Sequence, residues 1–118
     1  MVIGTGVDIT EVKRLRQAVD KWGCSFLDRI FTREELENAK GKVSLYQHLA
    51  GRFAAKEAVF KAMGDKNLTW QDVQVLNDPE GKPCCRILNR KGRGLNVHVS
   101  ISHVKNYAVA NAIVTPKK

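Results

Sequence analysis

Three charged side chains stand where a carboxylate pair and an ammonium group can meet a phosphate. Asp8 ends the apolar run VIGTGVDI, and Glu57 and Lys61 lie in AGRFAAKEAVFKA, residues 50–62. Aspartate is a poor interior strand residue, so Asp8 marks the point where the chain leaves its first strand. A carboxylate there is well placed to hold a cation, and Mg2+ on a phosphate substrate takes one or two carboxylates and keeps several waters. Asp8 with Glu57 makes such a pair, and Lys61 supplies positive charge to the same phosphates. Each group also has a plainer alternative. Glu57 and Lys61 have the i,i+4 spacing of an ion pair on a helix surface, and Asp8 also suits the cap of the helix that follows. Arg52 and Lys56 lie toward the other edge of that helix, free to be solvated or to reach a phosphate. His103 closes the alternating run VHVSISH. Near a phosphate it would donate a hydrogen bond; elsewhere it is a structural or solvated histidine.

Bringing these groups together requires a strand beside a long helix. Residues 2–9 are β-branched, apolar and punctuated by glycine, which predicts a strand ending at Asp8. Thr10 is placed to N-cap a helix over residues 11–21, with Glu11 at its positive end. Val12, Leu15 and Val19 form its apolar stripe, and Lys13, Arg14, Arg16 and Lys21 lie off it. Gly23 ends this helix, and residues 25–30 form a short helical turn. Thr32 and Glu35 make a capping box that opens a helix to about Ala39, and Gly41 ends it.

The long helix runs from about Ser44 to Met63, with Gly64 at its C-terminal end. Leu45, Leu49, Phe53, Phe60 and Met63 fall on one face and read as the buried stripe. Glu57 lies at its edge, beside a smooth surface of Ala50, Ala54 and Ala58 that a ligand or another segment can approach closely. Farther on, residues 69–72 read as a turn and residues 73–76 as a strand. The cluster NDPEGKP predicts a hairpin to a strand over 84–88. After a basic loop over 89–94, strands over 96–103 and 107–114 are joined by a short turn. The pattern predicts one α/β domain over residues 1–118, with helices packed on a mostly antiparallel sheet.

Charge narrows the choice of partner. Twenty Lys and Arg against twelve Asp and Glu give a net charge of +8, which calls for an anionic partner: a nucleic acid, a phosphorylated small molecule or an acidic protein. Lys117 and Lys118 read as a solvated tail. The three cysteines, Cys24 alone and Cys84 beside Cys85, fit neither a disulfide framework nor a zinc site and read as small buried or half-buried thiols. No apolar run is long enough to span a bilayer. The N-terminus has no secretory pattern, so a cytoplasmic location is the expectation.

GVDIT, AGRFAAKEAVFKA and VSISH, in this order in so short a chain, resemble the holo-acyl-carrier-protein synthase family, the small 4'-phosphopantetheinyl transferases. The resemblance covers essentially the whole chain, from GTGVDITEVKR through FTREEL and the GKP turn to the last strand pair. Its most specific segment is AGRFAAKEA-x-x-KA. It implies the α/β fold of that family and transfer of the phosphopantetheine arm of coenzyme A to a serine of apo-acyl carrier protein, with Mg2+ required and adenosine 3',5'-bisphosphate released. Asp8 and Glu57 then match the metal carboxylates and Lys61 the pyrophosphate lysine. His103 matches a histidine near the coenzyme A phosphates, and Arg52 becomes a phosphate contact.

Members of this short type form homotrimers with active sites at the subunit interfaces. The resemblance thus makes the alanine face and the apolar strand faces candidates for packing between copies. Glu57, directly or through a metal-bound water, is the expected acceptor of the serine proton, with Lys61 as its rival. Acyl carrier proteins are acidic, so the helix bearing Lys13, Arg14, Arg16 and Lys21 is the expected docking surface, with Arg14 matching a basic position the family uses. No nucleic-acid or membrane partner is expected. Two other classes are open on the residues alone. A small basic nucleic-acid binder is favoured by charge, although aromatics are only 7% and no paired-aromatic motif is present. A noncatalytic carrier-protein or nucleotide binder would use the metal site structurally.

Overall fold

Alternate glycines on the first strand let a helix lie against its backbone. In the computed structural model, which describes residues 1–117, that strand is β1 (Gly4–Glu11) and the helix is α4 (Leu45–Met63). A Cβ added at Gly4 would stand 2.0 Å from the carbonyl oxygen of Ala62, and one at Gly6 would stand 2.0 Å from that of Ala58. No side chain fits there, so only glycine permits this approach. Lys118, assigned above to a solvated tail, lies outside the described residues.

β1 runs antiparallel to β5 (Tyr107–Pro116), which pairs on its other edge with β4 (Leu95–His103). A separate antiparallel hairpin is formed by β2 (Val73–Asn77) and β3 (Pro83–Ile87). Three shorter helices, α1 (Val12–Trp22), α2 (Cys24–Ile30) and α3 (Arg33–Ala39), lead from β1 to α4. The inner face of β5, with Ala108, Ala110, Ala112 and Val114, is buried against α4, and Val73 and Val75 of β2 close the same core. A smaller core joins α1, α2 and α3 to the first half of α4 through Leu15, Ile30, Phe31 and Leu49. This is the mixed α/β arrangement of helices on antiparallel sheet that the pattern predicts. Among the described residues, no helix is long and apolar enough to cross a membrane.

Several local expectations hold. Thr32 and Glu35 form the capping box: the Thr32 amide donates to Glu35 Oε1 at 2.8 Å, and the Glu35 amide donates to Thr32 Oγ1 at 3.2 Å. Gly64 closes α4 in the left-handed region at φ 64°. Other expectations are corrected. β1 does not end at Asp8 but pairs with β5 through Glu11 opposite Tyr107. That pairing keeps Thr10 extended, so it does not cap α1, and its hydroxyl turns to Asp8 instead. Asp8, paired opposite Ala110, is likewise not a helix cap. Cys24 and Cys84 are exposed, not buried, and only Cys85 is half-buried, its thiol pushed up to about 12 chiefly by burial.

The largest correction concerns α4. Its buried residues are mainly small: Ala50, Ala54, Ala55 and Ala58 are fully covered, whereas Leu45 is exposed and Phe53, Phe60 and Met63 are half-buried. The glycine-bearing strand requires small side chains where it meets the helix. The alanine face is therefore consumed inside the chain and is not available for packing between copies. Lys56, read from the sequence as solvated or reaching a phosphate, does neither, with 0% of its surface exposed.

Candidate functional site

The strand alternation that points Gly4 and Gly6 at α4 points Asp8 the same way. On α4, Phe53, Glu57 and Lys61 follow one another at four-residue intervals and so line up on one face. Asp8, Glu57 and Lys61 meet in a cavity of about 620 Å³. Its other end is apolar, walled by Leu15 and Ala18 of α1, Phe26 of α2 and Phe53; Arg14 and Tyr107 stand at the lining as well.

Lys61 turns away from the expected i,i+4 partner. Its Nζ donates to the Val7 carbonyl at 2.8 Å and lies 3.5 Å from Asp8 Oδ1. Asp8 Oδ2 accepts from Thr10 Oγ1 at 2.8 Å. Glu57 faces this assembly without an ion pair among the described residues. Burial first, and the Asp8 carboxylate second, raise its proton affinity above the ordinary carboxylate range, with Lys61 opposing. Three carboxylates line the cavity, Asp8, Glu11 and Glu57, against two cations, Lys61 and Arg14, which leaves an excess of negative charge. A divalent cation would relieve that excess.

Among the described residues, no group of three or more His, Cys, Asp or Glu side chains is arranged to hold a metal. A Mg2+ site needs no such group, since it typically takes one or two carboxylates and fills its other positions with water and substrate phosphate. The Asp8–Glu57 pair therefore fits Mg2+ on a phosphate substrate.

Arg52 and His103 lie elsewhere. They line a second pocket, of about 320 Å³, together with Lys42, Ser44 and His48, and it shares no lining residue with the first. Arg52 donates from Nη2 to Asn77 Oδ1, while its Nε and the Nε2 of His48 are buried without a partner among the described residues. Burial, then the charges of Arg52, Lys42 and His103, lower the His48 imidazole to about 4. Two fixed cations and two histidines converge here, the composition of an anion pocket. His48 and Lys42 escaped the sequence reading. The available signal was spacing, since His48 stands one helical turn before Arg52 on the same face.

The basic residues of α1 divide. Arg14 faces the Asp8–Glu57 cavity, whereas Lys13 lines a different groove with Arg16 and Lys105. The Arg16 guanidinium lies 4.9 Å from the Tyr46 ring centre, and the Lys21 ammonium lies 4.9 Å from that of Trp22.

Comparison with known proteins gives a consistent answer. Residues 4–112 match the family model described as the 4'-phosphopantetheinyl transferase superfamily. A holo-[acyl-carrier-protein] synthase of Halothermothrix orenii is 42% identical, the match covering 93% of this chain and 94% of that protein. One from a Geobacillus species is 44% identical, with 97% of each chain covered. The crystal structure of a Bacillus anthracis holo-(acyl-carrier-protein) synthase in complex with CoA (3',5'-ADP) superposes with a TM-score of 0.85 at 39% identity, covering 100% of this chain and 99% of that one. A Helicobacter pylori synthase in complex with coenzyme A gives 0.86 at 28% identity over 94% of this chain and 99% of that one.

Proposed function

The chain belongs to the 4'-phosphopantetheinyl transferase superfamily, among its holo-acyl-carrier-protein synthases, and from that premise we propose how its residues divide the work. The reaction moves phosphopantetheine from coenzyme A to apo-acyl carrier protein. A serine oxygen of the carrier protein forms a bond to the phosphorus nearer the pantetheine, and the bond from that phosphorus to adenosine 3',5'-bisphosphate breaks. Such a transfer needs an in-line nucleophile and stabilised phosphate charge more than covalent help from the protein.

The observation that carries the assignment is the cavity in which β1 sets Asp8 against Glu57 and Lys61. Asp8 and Glu57 hold Mg2+, which when bound supplies Lewis-acid charge to the pyrophosphate. Lys61, fixed by Val7 and Asp8, puts an ammonium group beside the same phosphates, where it offsets the charge that develops on the leaving bisphosphate. Glu57 takes the serine proton. Its carboxylate faces the cavity without an ion pair among the described residues, whereas Lys61 Nζ is engaged as a donor to Val7 and Asp8.

Arg52 and His103, with Lys42, bind the phosphates of the adenosine end of coenzyme A. These residues occupy a pocket that shares no lining residue with the cavity, so the complete site is built from two copies of the chain. The outer face of the three-stranded sheet supports this. Val7 and Ile9 are 60% and 66% exposed, Tyr107 and Val109 lie beside them, and Ile9 and Tyr107 also line the catalytic cavity. An apolar face running into the rim of an active site is suited to packing against a neighbouring copy. A closed ring of three chains with head-to-tail contacts would give three equivalent sites.

Mixing two inactive variants tests the shared site. Glu57→Ala and His103→Ala proteins are each expected to transfer poorly. Unfolded and refolded together, they should regain about a quarter of the parent activity, because random head-to-tail pairing restores that share of intact sites. Activity that stays at the level of the separate variants would mean that each chain carries a complete site.

Arg14, at the cavity lining, is the docking contact for the acidic carrier protein. Arg14→Glu is expected to raise the KM for carrier protein about tenfold or more while leaving the KM for coenzyme A unchanged. The increase should shrink as salt is added. Unchanged carrier-protein kinetics would remove Arg14 from that role.

A further inference from the structure

Lys56, immediately before Glu57, is entirely buried, and so is its partner Glu35, at 2% exposure. Lys56 Nζ donates to Glu35 Oε1 and to the Ile30 carbonyl, both at 2.7 Å. Glu35 Oε1 also accepts from the Thr32 amide, and Oε2 accepts from the Val75 amide at 2.7 Å. One ion pair thus ties α4 to the end of α2, the first turn of α3 and strand β2. Such a pair is weak evidence of a stability role, because well-packed apolar residues of similar volume often do as well.

On the side that meets β1, α4 is held by Lys61, whose exposed side chain donates to the Val7 carbonyl at 2.8 Å, a solvent-accessible tie unlike the buried pair. There the helix also rests through Ala58 and Ala62 on the bare backbone of Gly4 and Gly6. A turn of α4 about its axis would swing Glu57 away from Asp8, and the Lys56–Glu35 pair opposes that turn one residue from the site. The Ile30 carbonyl that Lys56 holds also ends the helix that carries Phe26, a wall of the same cavity.

We propose that the buried Lys56–Glu35 ion pair is a positioning device that fixes the roll of α4 and thereby holds the Glu57 carboxylate opposite Asp8. This rests on the reading that Asp8 and Glu57 hold a divalent cation. Lys56 and Glu35 touch neither substrate nor metal; they act through the helix. The pair Lys56→Met with Glu35→Gln removes both charges together and leaves no uncompensated buried ion, so the fold is expected to survive.

The test uses Mn2+ as the probe, with coenzyme A present, and reads its binding by electron paramagnetic resonance. Thermal melting establishes folding. In the folded double variant the Mn2+ dissociation constant should rise about 10- to 100-fold, the range seen when groups that orient metal ligands are removed. Coenzyme A affinity measured without metal should fall less than Mn2+ affinity, because Lys42 and His103 of its pocket lie outside α4. A folded double variant that binds Mn2+ as the parent does would overturn the proposal. If the double variant does not fold, Glu35→Asp, which keeps the charges balanced but shortens the reach, is judged by the same criterion. The unaltered protein and Glu57→Ala separate the two readings. No Mn2+ binding by the first, or undiminished binding by the second, defeats the cation reading. Parent binding that is lost in Glu57→Ala but kept in the double variant defeats only the positioning role.

Discussion

Glu57→Gln is expected to lose transfer by about a thousandfold, the range associated with removing a positioned acid–base group, and to melt at a higher temperature than the parent. Activity and stability move in opposite directions because of the carboxylate's surroundings. Burial and Asp8 raise the proton affinity of Glu57 in the folded chain. Between its ordinary unfolded value and that raised folded value, the folded state binds more protons than the unfolded one, so stability falls as pH rises through this window. Above the window the penalty is complete, and glutamine removes it at neutral pH. Transfer is lost in the same variant because the site then has one carboxylate fewer to hold the cation and none to take the serine proton. Circular dichroism melts without metal at several pH values, and transfer rates with Mg2+, check both. A variant that loses activity and also melts lower would mean that Glu57 supports the fold, and the site assignment would lose its main physical argument.

Gly6→Ala should be nearly as damaging although it adds a single methyl group. The new Cβ would stand 2.0 Å from the Ala58 carbonyl oxygen and 2.9 Å from the Ala62 amide nitrogen, both backbone atoms of α4. Neither can rotate aside, so the helix must move off the strand. Overpacking of this kind costs about 3 kcal/mol or more, which lowers the melting temperature of a chain of this size by more than about 10 °C. Protein that remains folded should transfer poorly, because the displacement that relieves Gly6 also separates Glu57 from Asp8. Gly41→Ala is the contrast. Gly41 has φ 79° and open space around it, so alanine there is strained locally but leaves the helix and strand in place. A Gly6→Ala protein with parent stability and activity would refute the close packing of β1 on α4.

The features readable in the sequence were those set by neighbours along the chain. The capping box of Thr32 and Glu35 spans three residues. Alternation in VHVSISH sets Val97, Val99 and Ile101 inward on β4, as observed. The turn cluster around Gly81 gave the hairpin. Glu57 and Lys61 were legible as neighbours because helix spacing is a local fact, whereas Asp8 was singled out by a strand end that the structure moves to Glu11.

What escaped the sequence depended on contacts between distant segments. Helix α4 is packed on more than one side, so it has no single stripe for periodicity to find, and side-chain size is a misleading guide where a glycine-bearing strand admits only alanine. The burial of Lys56 could not be seen because Glu35 lies 21 residues away. The separation of Arg52 and His103 from Glu57 was hidden for the same reason. Arg52 and Glu57 share a helix but face different pockets, and His103 reaches the first of these through β4.

Intact-mass spectrometry tests the central claim most directly. An apo-acyl carrier protein is incubated with coenzyme A, Mg2+ and the protein, beside samples with chelator and with Glu57→Ala. The expected result is a mass gain of one phosphopantetheine that disappears with the chelator and in the variant. A gain that persists in either control would contradict the assignment of Asp8 and Glu57 as the metal-holding, proton-accepting centre of the transfer.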